Sequence, residues 1–325
     1  MSDPGAQTRP PAVTAIVPVW NGLDHLERCL PALARAGERA PLEIIVVDDG
    51  SDDGSADYAR ARGARVLSSG GRQLGPGAAR NVGAAAARAE LILFVDADVA
   101  VHPDVLDHVL PAFRDSSVVA VFGAYDDRPP HRGFASQYMN LRHHWVHQAA
   151  SDEAQTFWTG LGAVRRDAML AVGGFDGKRF PRPSIEDIDL GRRLREKGGR
   201  ILRIPAMQAT HLKRWSLAEV VRTDVLRRAL PWARLMHEFP GAFTDLNVGP
   251  GERAKALLAG ALLVASVLAL LGVVHFVVPV VLLLAAAVAN AGLIRVFHAR
   301  GGTWFALRAL LYHQLYYVYS AAVYV

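Results

Sequence analysis

Between residues 12 and 98, unbroken apolar runs alternate with segments of helical period, and this alternation constrains the fold more than any other feature. The runs are "AVTAIVPV" (12–19), "LEIIVVDD" (42–49), "ARVLSS" (64–69) and "LILFVDAD" (91–98). Between them lie "GLDHLERCLPALARA" (22–36), "SADYARARG" (55–63) and the glycine-opened, alanine-rich "GPGAARNVGAAAARAE" (75–90). A strand that is apolar on both faces must be covered on both faces, and the intervening helices supply the cover. The pattern predicts an α/β fold with a mainly parallel sheet flanked by helices. Ligands of such sheets bind beyond the carboxyl ends of the strands. Three strand ends here are polar: "PVWNG", "DDGSDDGS" and "DADV". Residues 118–214 are less regular, with strands expected at "SVVAVFGAY" and from 200, a short helix within 157–176 and a helix over 184–199.

Asp96 and Asp98 close the fourth run. Residues i and i+2 of an extended segment point the same way, so both carboxylates can meet one ligand. Two hard oxygens on one side suit Mg²⁺ or Mn²⁺ completed by phosphate oxygens and water. The competing reading is a turn in which one aspartate caps a helix starting near Pro103. In "VVDDGSDDGS" a carboxylate of Asp48 or Asp49 can accept from a base N–H or a ribose hydroxyl. An ordinary Asp-Gly turn with an N-cap serine uses the same residues. "GPGAARNVG" offers free helix-start N–H groups and Arg80 to an anion such as a diphosphate. It contains no G-K-[ST].

"SIEDIDLGRRLREKG" places Glu186, Asp187 and Asp189 within four residues. Ser184 and Asp187 have capping-box spacing, but three acids cannot all cap one helix start. Crowded carboxylates raise the pKa of at least one of them, as a general base requires. "HLKRW" (211–215) offers His211 as a metal ligand or a structural histidine, and Arg214 with Trp215 for phosphate and sugar. Neither C-x-x-C nor H-E-x-x-H zinc spacing occurs, and no G-x-G-x-x-G follows the first strand, which disfavours a dinucleotide oxidoreductase.

Composition matters most at the C-terminal end. Residues 256–274 and 276–294 are two 19-residue runs without a charge, separated by His275. Each is about 28 Å long as a helix, close to a hydrocarbon core of roughly 30 Å. They predict a transmembrane hairpin. Arg253, Lys255, Arg295 and Arg300 flank it, which by the positive-inside rule puts both ends in the cytoplasm. Residues 303–325 read as a third span or an interfacial helix, interrupted by Arg308, His313 and Gln314. Residues 200–238 hold eight Lys/Arg against three acids and include a basic amphipathic segment suited to a membrane surface. No nucleic-acid motif accompanies it, so nucleic acid is not an expected partner. Residues 1–11 read as a disordered lead without a secretory h-region, and the single Cys29 fits a reducing compartment. The expected divisions are therefore 1–11, a catalytic domain 12–215, an interfacial segment 216–250 and a membrane region 251–325.

The order "AIVPVWNG", "VVDDGS", "ARNVG", "FVDADV", "GGFD", "EDIDLGRRLREKG", "HLKRW" resembles the family 2 glycosyltransferases of GT-A fold, over roughly residues 12–215. The resemblance implies a nucleotide-sugar donor, commonly UDP-linked, a divalent metal (Mn²⁺ or Mg²⁺) and inversion at the anomeric carbon. By position, Pro18, Val19 and Asn21 would line the nucleotide pocket. Asp48 or Asp49 would bind the uracil edge, and Arg80 would lie near the nucleotide or diphosphate. Asp96 would touch ribose or diphosphate, Asp98 would hold the metal and Asp187 would be the general base. His211 stands where family members place a metal ligand or begin a Q-x-x-R-W motif. Histidine in place of that glutamine favours transfer of one or a few sugars over processive synthesis. The expected acceptor is a glycan or lipid-linked hydroxyl at the inner (cytoplasmic) membrane, in cell-envelope or extracellular glycan synthesis, with membrane lipids as partners. Two alternatives are a polyprenyl-phosphate glycosyltransferase and a catalytically silent nucleotide-sugar-binding subunit.

Overall fold

The computed structural model describes residues 10–71, 73–149, 152–243 and 249–323. Of the expected lead, residues 1–9 lie outside them. The chain divides into two compact units, the first comprising residues up to Ala124 with Asp152–Leu212, the second Tyr125–Ser151 with Lys213–Val325. This differs from the expected boundary, because residues 125–151 join the C-terminal helices.

In the first unit the alternation is realised as β1 (Val13–Val19), α1 (Leu23–Ala36), β2 (Leu42–Asp48), α2 (Ser55–Ala61), β3 (Arg65–Ser68), α3 (Pro76–Ala86) and β4 (Leu91–Val95). There follow β5 (Val99–Val101), α4 (Val105–Ala112) and β6 (Val118–Tyr125). After α5 (Phe134–Ala149) of the second unit come β7 (Leu161–Arg165), α6 (Arg166–Ala171), α7 (Glu186–Glu196) and β8 (Arg200–His211). The eight strands form one mixed sheet in the order β3-β2-β1-β4-β7-β6-β8-β5. The β3-β2-β1-β4 block is parallel, whereas β4 with β7, β7 with β6 and β5 with β8 pair antiparallel.

The parallel block brings the carboxyl ends of β1, β2 and β4 to one edge, with Val19 in register with Asp48. Every residue of β4 is buried, as a two-face apolar strand requires. Phe94 meets Phe157 and Phe175 edge-on at 6.5 and 5.4 Å between centroids. Helix α3 packs so closely on β1 that a Cβ on Gly83 would lie 2.5 Å from Ile16 Cγ2. The helix that carries Arg80 is thereby fixed against the strand that ends in Val19.

In the second unit, α8 (Leu217–Arg222), a π-helical segment Thr223–Ala229 and α9 (Leu230–Glu238) run continuously. Ser216 and Glu219 close a capping box at the start of α8. The segment is not a free basic helix, because Asp224 is buried and accepts from both terminal nitrogens of Arg142 on α5, at 2.9 and 2.7 Å. Helices α10 (Pro250–Leu270), α11 (Val277–Ala289) and α12 (Ala291–Ala322) follow. Tyr138 and Leu141 of α5 pack with Leu293, Phe297 and Ala309 of α12, which is why 125–151 belongs here.

The C-terminal apolar runs differ from two simple spans. Helix α10 is long and apolar enough to cross a membrane. The second run is a helix of only 13 residues, short of the roughly 20 that a span needs. It stops at Asn290, whose Nδ2 donates back to Ala286 O at 2.9 Å, and the chain then bends by 81° into α12. Among the described residues there is thus one helix able to span, or two if the bent pair counts as one. Of the polar residues that interrupt 303–325, His313 and Gln314 are buried, with His313 Nδ1 at 2.8 Å from Tyr138 Oη, whereas Arg308 is exposed and lies 4.6 Å over the Phe134 ring.

Candidate active site

The turns after β1 and β2 are stapled together. Asn21 takes a positive φ of 47°, a state that asparagine tolerates better than most residues. Its N–H donates to Ser51 Oγ and its Oδ1 accepts from Asp52 N–H, both at 2.9 Å. Ser55 Oγ and Asp53 Oδ2 accept from Gly22 and Leu23 N–H, satisfying orphan donors at the start of α1. The second half of "DDGSDDGS" therefore builds the loop, a role that the sequence reading missed. Asn21, expected to line a pocket, has its side-chain oxygen engaged in that staple. Pro18 and Val19 lie where expected, at the end of β1.

The two candidates at the end of β2 separate cleanly. Asp49 is buried and both its oxygens are committed. They accept from Leu74 N–H at 3.0 Å, from Gly75 N–H at 2.9 Å and from the Ser69 hydroxyl. Asp49 thus clamps the loop leading into α3. Asp48 is half-buried, and only its Oδ1 is engaged, by Ser51 N–H at 3.1 Å.

Asp96 and Asp98 do not cap the helix near Pro103. Helix α4 begins at Val105 and is preceded by Asp104. The carboxylate of Asp96 instead accepts from Arg80 Nη2 at 2.6 Å. Arg80 is only 3% exposed, and its Nη1 donates to Glu186 Oε1 at 3.1 Å. Arg80 was expected beside a diphosphate; here two carboxylates consume its charge. Burial, then Asp98, raises the Asp96 pKa, while the Arg80 guanidinium opposes the rise.

Strand β5 explains how Asp98 meets its partner. Three residues after Asp96 the chain pairs with the end of β8, with Val99 opposite His211, and Leu212 N–H donates to Asp98 O at 2.7 Å. His211 Nε2 then lies 3.4 Å from Asp98 Oδ2. Metal bonds of about 2.1 Å place neighbouring ligand atoms about 3 Å apart in octahedral geometry, so this pair fits two ligands of one ion. No cluster of three or more His, Cys, Asp or Glu with ligand spacing occurs among the described residues. Any further ligands would come from bound phosphate and water. Behind this strand end, burial drives the Cys29 thiol far above the usual thiol range, which makes it inert.

The three acids of "EDID" have three different surroundings. Ser184 N–H donates to Glu186 rather than to Asp187, so the reciprocal capping box that the Ser184–Asp187 spacing would allow is not made, and the residue before α7 is Ile185. Glu186 is buried against Arg80, and its Oε2 accepts from Ser184 N–H at 2.8 Å. Asp189 is buried between Arg192 and Arg193, each at 2.9 Å. Asp187 alone has no ion pair among the described residues. Its Oδ2 accepts from Thr159 N–H at 3.2 Å and the Thr159 hydroxyl at 3.4 Å, and its Oδ1 from Ile188 N–H at 2.9 Å. Burial first, then the Glu186 charge, raises its pKa to about 7. A carboxyl so tuned can accept a proton near neutral pH.

Arg214 and Trp215 belong to the second unit. The Trp215 indole is 8% exposed and packs with Ala135, Met139 and Val220, so it serves as a core residue rather than an open sugar platform. Its N–H backbone group donates to Ser136 Oγ at 2.9 Å, and Lys213 Nζ lies 4.1 Å over its ring.

Comparison with known proteins bears on the family and the fold. Residues 14–171 match the family described as glycosyl transferase family 2. A pre-mycofactocin glycosyltransferase of Mycobacterium tuberculosis is 28% identical over 282 residues, covering 82% of this chain and 56% of that protein. The chain therefore spans about half the length of such a curated relative. A mannosyltransferase from Pyrobaculum calidifontis, solved with GDP-Man and Mn2+, superposes with a TM-score of 0.58 at 20% identity, covering 98% of this chain and 88% of that one. Glucosyl-3-phosphoglycerate synthase from Mycobacterium tuberculosis, solved with Mn2+, UDP and glucosyl-3-phosphoglycerate, gives 0.50 at 18% identity over 70% of this chain and 79% of that one. These likenesses carry the GT-A fold. With the ordered motifs at the strand ends, the match over residues 14–171 makes just under half of this chain similar to the family 2 glycosyltransferases.

Proposed function

We propose that the chain transfers a sugar, with inversion, from a nucleotide-diphosphate sugar to a hydroxyl of a membrane-proximal or lipid-linked acceptor. The observation that carries this reading is the contrast within "EDID": two acids are neutralised by arginines, and Asp187 is left unpaired with a pKa near 7. A phosphate acceptor needs no proton removed, so this base favours a hydroxyl. Asp48 is the candidate for the nucleobase, since Asp49 is saturated by its own loop. UDP is the expected nucleotide.

In the reaction, Asp187 takes the acceptor hydroxyl proton while Thr159 holds its carboxylate in place. The freed oxygen bonds to the anomeric carbon, and the bond from that carbon to the diphosphate oxygen breaks on the opposite face. The electron pair leaves with the nucleoside diphosphate. Asp98 and His211 would hold Mn²⁺ or Mg²⁺, which when bound offsets charge on the diphosphate. Arg80 holds Asp96 at the same strand end.

Asp98→Asn tests the metal assignment. Asparagine keeps the shape and loses the charge, so Mn²⁺-dependent transfer is expected to fall by at least about 100-fold, the scale of removing a key electrostatic group. Near-normal turnover with added Mn²⁺ would sink the role given to Asp98.

Helix α10 and the exposed apolar side chains of α11 support a membrane location, and the basic residues Arg253 and Lys255 at the start of α10 favour the cytoplasmic side for the first unit. The full chain is expected to stay with lipid vesicles through a high-salt wash. Release by salt alone would mean that only surface charge had held it.

A further inference from the structure

A cavity lies at the bend of the C-terminal helices. The chain turns by 81° between α11 and α12, and α12 is itself broken at Gly302, with φ 76° and ψ 178°. Side chains rarely tolerate that backbone state, so glycine is required there. The two arms around Gly302, together with the end of α11, border a half-open groove of about 360 Å³. That volume is in the range of ligand pockets, roughly 300–1,000 Å³.

The walls are apolar, with Ala287, Ile294, Ala306 and Leu310. Arg295 and His298 also line the cavity, and both are exposed. Neither has an ion-pair or hydrogen-bond partner among the described residues. Their neighbours differ: Arg300 is paired with Asp127, and Arg308 lies over the Phe134 ring. Trp304, next to the lining residue Thr303, is 71% exposed, as side chains at a headgroup boundary are. An apolar cavity with unpaired cationic and hydrogen-bonding groups fits an amphiphile with an anionic head. Free phosphate would gain only the two exposed side chains, which salt screens, and would leave the apolar wall uncovered. A choline headgroup would set its own cation against Arg295.

We infer that this cavity binds one anionic membrane phospholipid, with a hydrocarbon chain along Ala287, Ile294 and Leu310 and the phosphate on Arg295 and His298. The inference rests on the membrane location of α10–α12 but not on the transfer reaction.

The test uses the full chain in detergent, exchanged into an equimolar mixture of phosphatidylglycerol and phosphatidylcholine with identical chains, with retained lipid counted by native mass spectrometry. Wild type is expected to retain phosphatidylglycerol at least about fivefold over phosphatidylcholine, the scale of one basic contact. Arg295→Gln with His298→Gln should bring the ratio near one. Ala287→Phe, which fills the cavity, should lower retention of both lipids. Excess inorganic phosphate should not displace the lipid. Equal retention by wild type, an unchanged ratio in the double variant, no effect of Ala287→Phe, or displacement by phosphate would each overturn the site. Vesicle association of the same variants through a salt wash separates this site from the membrane reading. If they stay bound but lose selectivity, the site is supported; if wild type itself washes off, the membrane reading has failed and the site with it.

Discussion

Asp187→Asn is expected to bind a nucleotide sugar as the wild type does and to transfer it about 10²–10⁴-fold more slowly, the usual contribution of a positioned general base. Asparagine has one acceptor oxygen, so it can keep the hydrogen bond from Thr159 N–H or from Ile188 N–H but not both, and it cannot take a proton. The pH profile gives the same residue a second signature. Its pKa is raised to about 7, and the base works only when unprotonated. For the wild type, kcat/KM should therefore climb about tenfold per pH unit below that value and level off above it. The stability sign runs the other way. The folded chain holds the Asp187 proton more tightly than the unfolded chain, so this group lowers stability as pH rises from the ordinary carboxylate range to about 7. The Asn variant should consequently melt no lower than wild type at pH 8. Lost donor binding or a collapsed melting temperature would mean that Asp187 is a donor ligand or a structural acid instead.

Arg80→Met has the largest expected effect on stability. Methionine fills similar volume but leaves Glu186, 5% exposed, and Asp96 without their shared cation. Removing one partner of a buried ion pair costs about 3–5 kcal/mol, a large part of a stability of about 5–15 kcal/mol. Arg80→Lys should rescue little, because an ammonium cannot span both carboxylates as the guanidinium fork does. A depressed melting temperature with nucleotide binding restored at low temperature identifies Arg80 as the tie between the β4 strand end and the base helix. Normal melting with weakened nucleotide binding would instead return it to the diphosphate role that its sequence position suggested.

Much of this site could be read from the chain because the chemistry sits where strands stop. Asp48, Asp96 and Asp98 end apolar runs, and parallel pairing of β2, β1 and β4 collects those ends at one edge. Adjacent residues at a strand end face opposite ways, so Asp48 and Asp49 could not be told apart until the 69–75 loop was seen to close on Asp49. The tie between Arg80 and Glu186 joins residues 106 apart, which no local pattern records. Asp189 was more legible, since Arg192 and Arg193 follow at helical neighbour spacing, and removing it and Glu186 leaves Asp187. Helix α5 was hidden because its buried face includes Ser136, Asn140 and Arg142, which blur an amphipathic pattern. The break in the second apolar run did have a signal: Asn290 is the one amide side chain in 276–294.

The proposed chemistry is transfer of a sugar from a nucleotide sugar with Asp187 as base and Asp98 at a metal. The direct measurement is nucleotide diphosphate release by the purified full chain from a panel of UDP and GDP sugars with Mn²⁺, run beside Asp98→Asn and Asp187→Asn. Release is expected from one donor class, lost with a chelator and in both variants, with donor binding retained in Asp187→Asn. Release that survives both substitutions, or no binding of any donor in the panel, would contradict this chemistry.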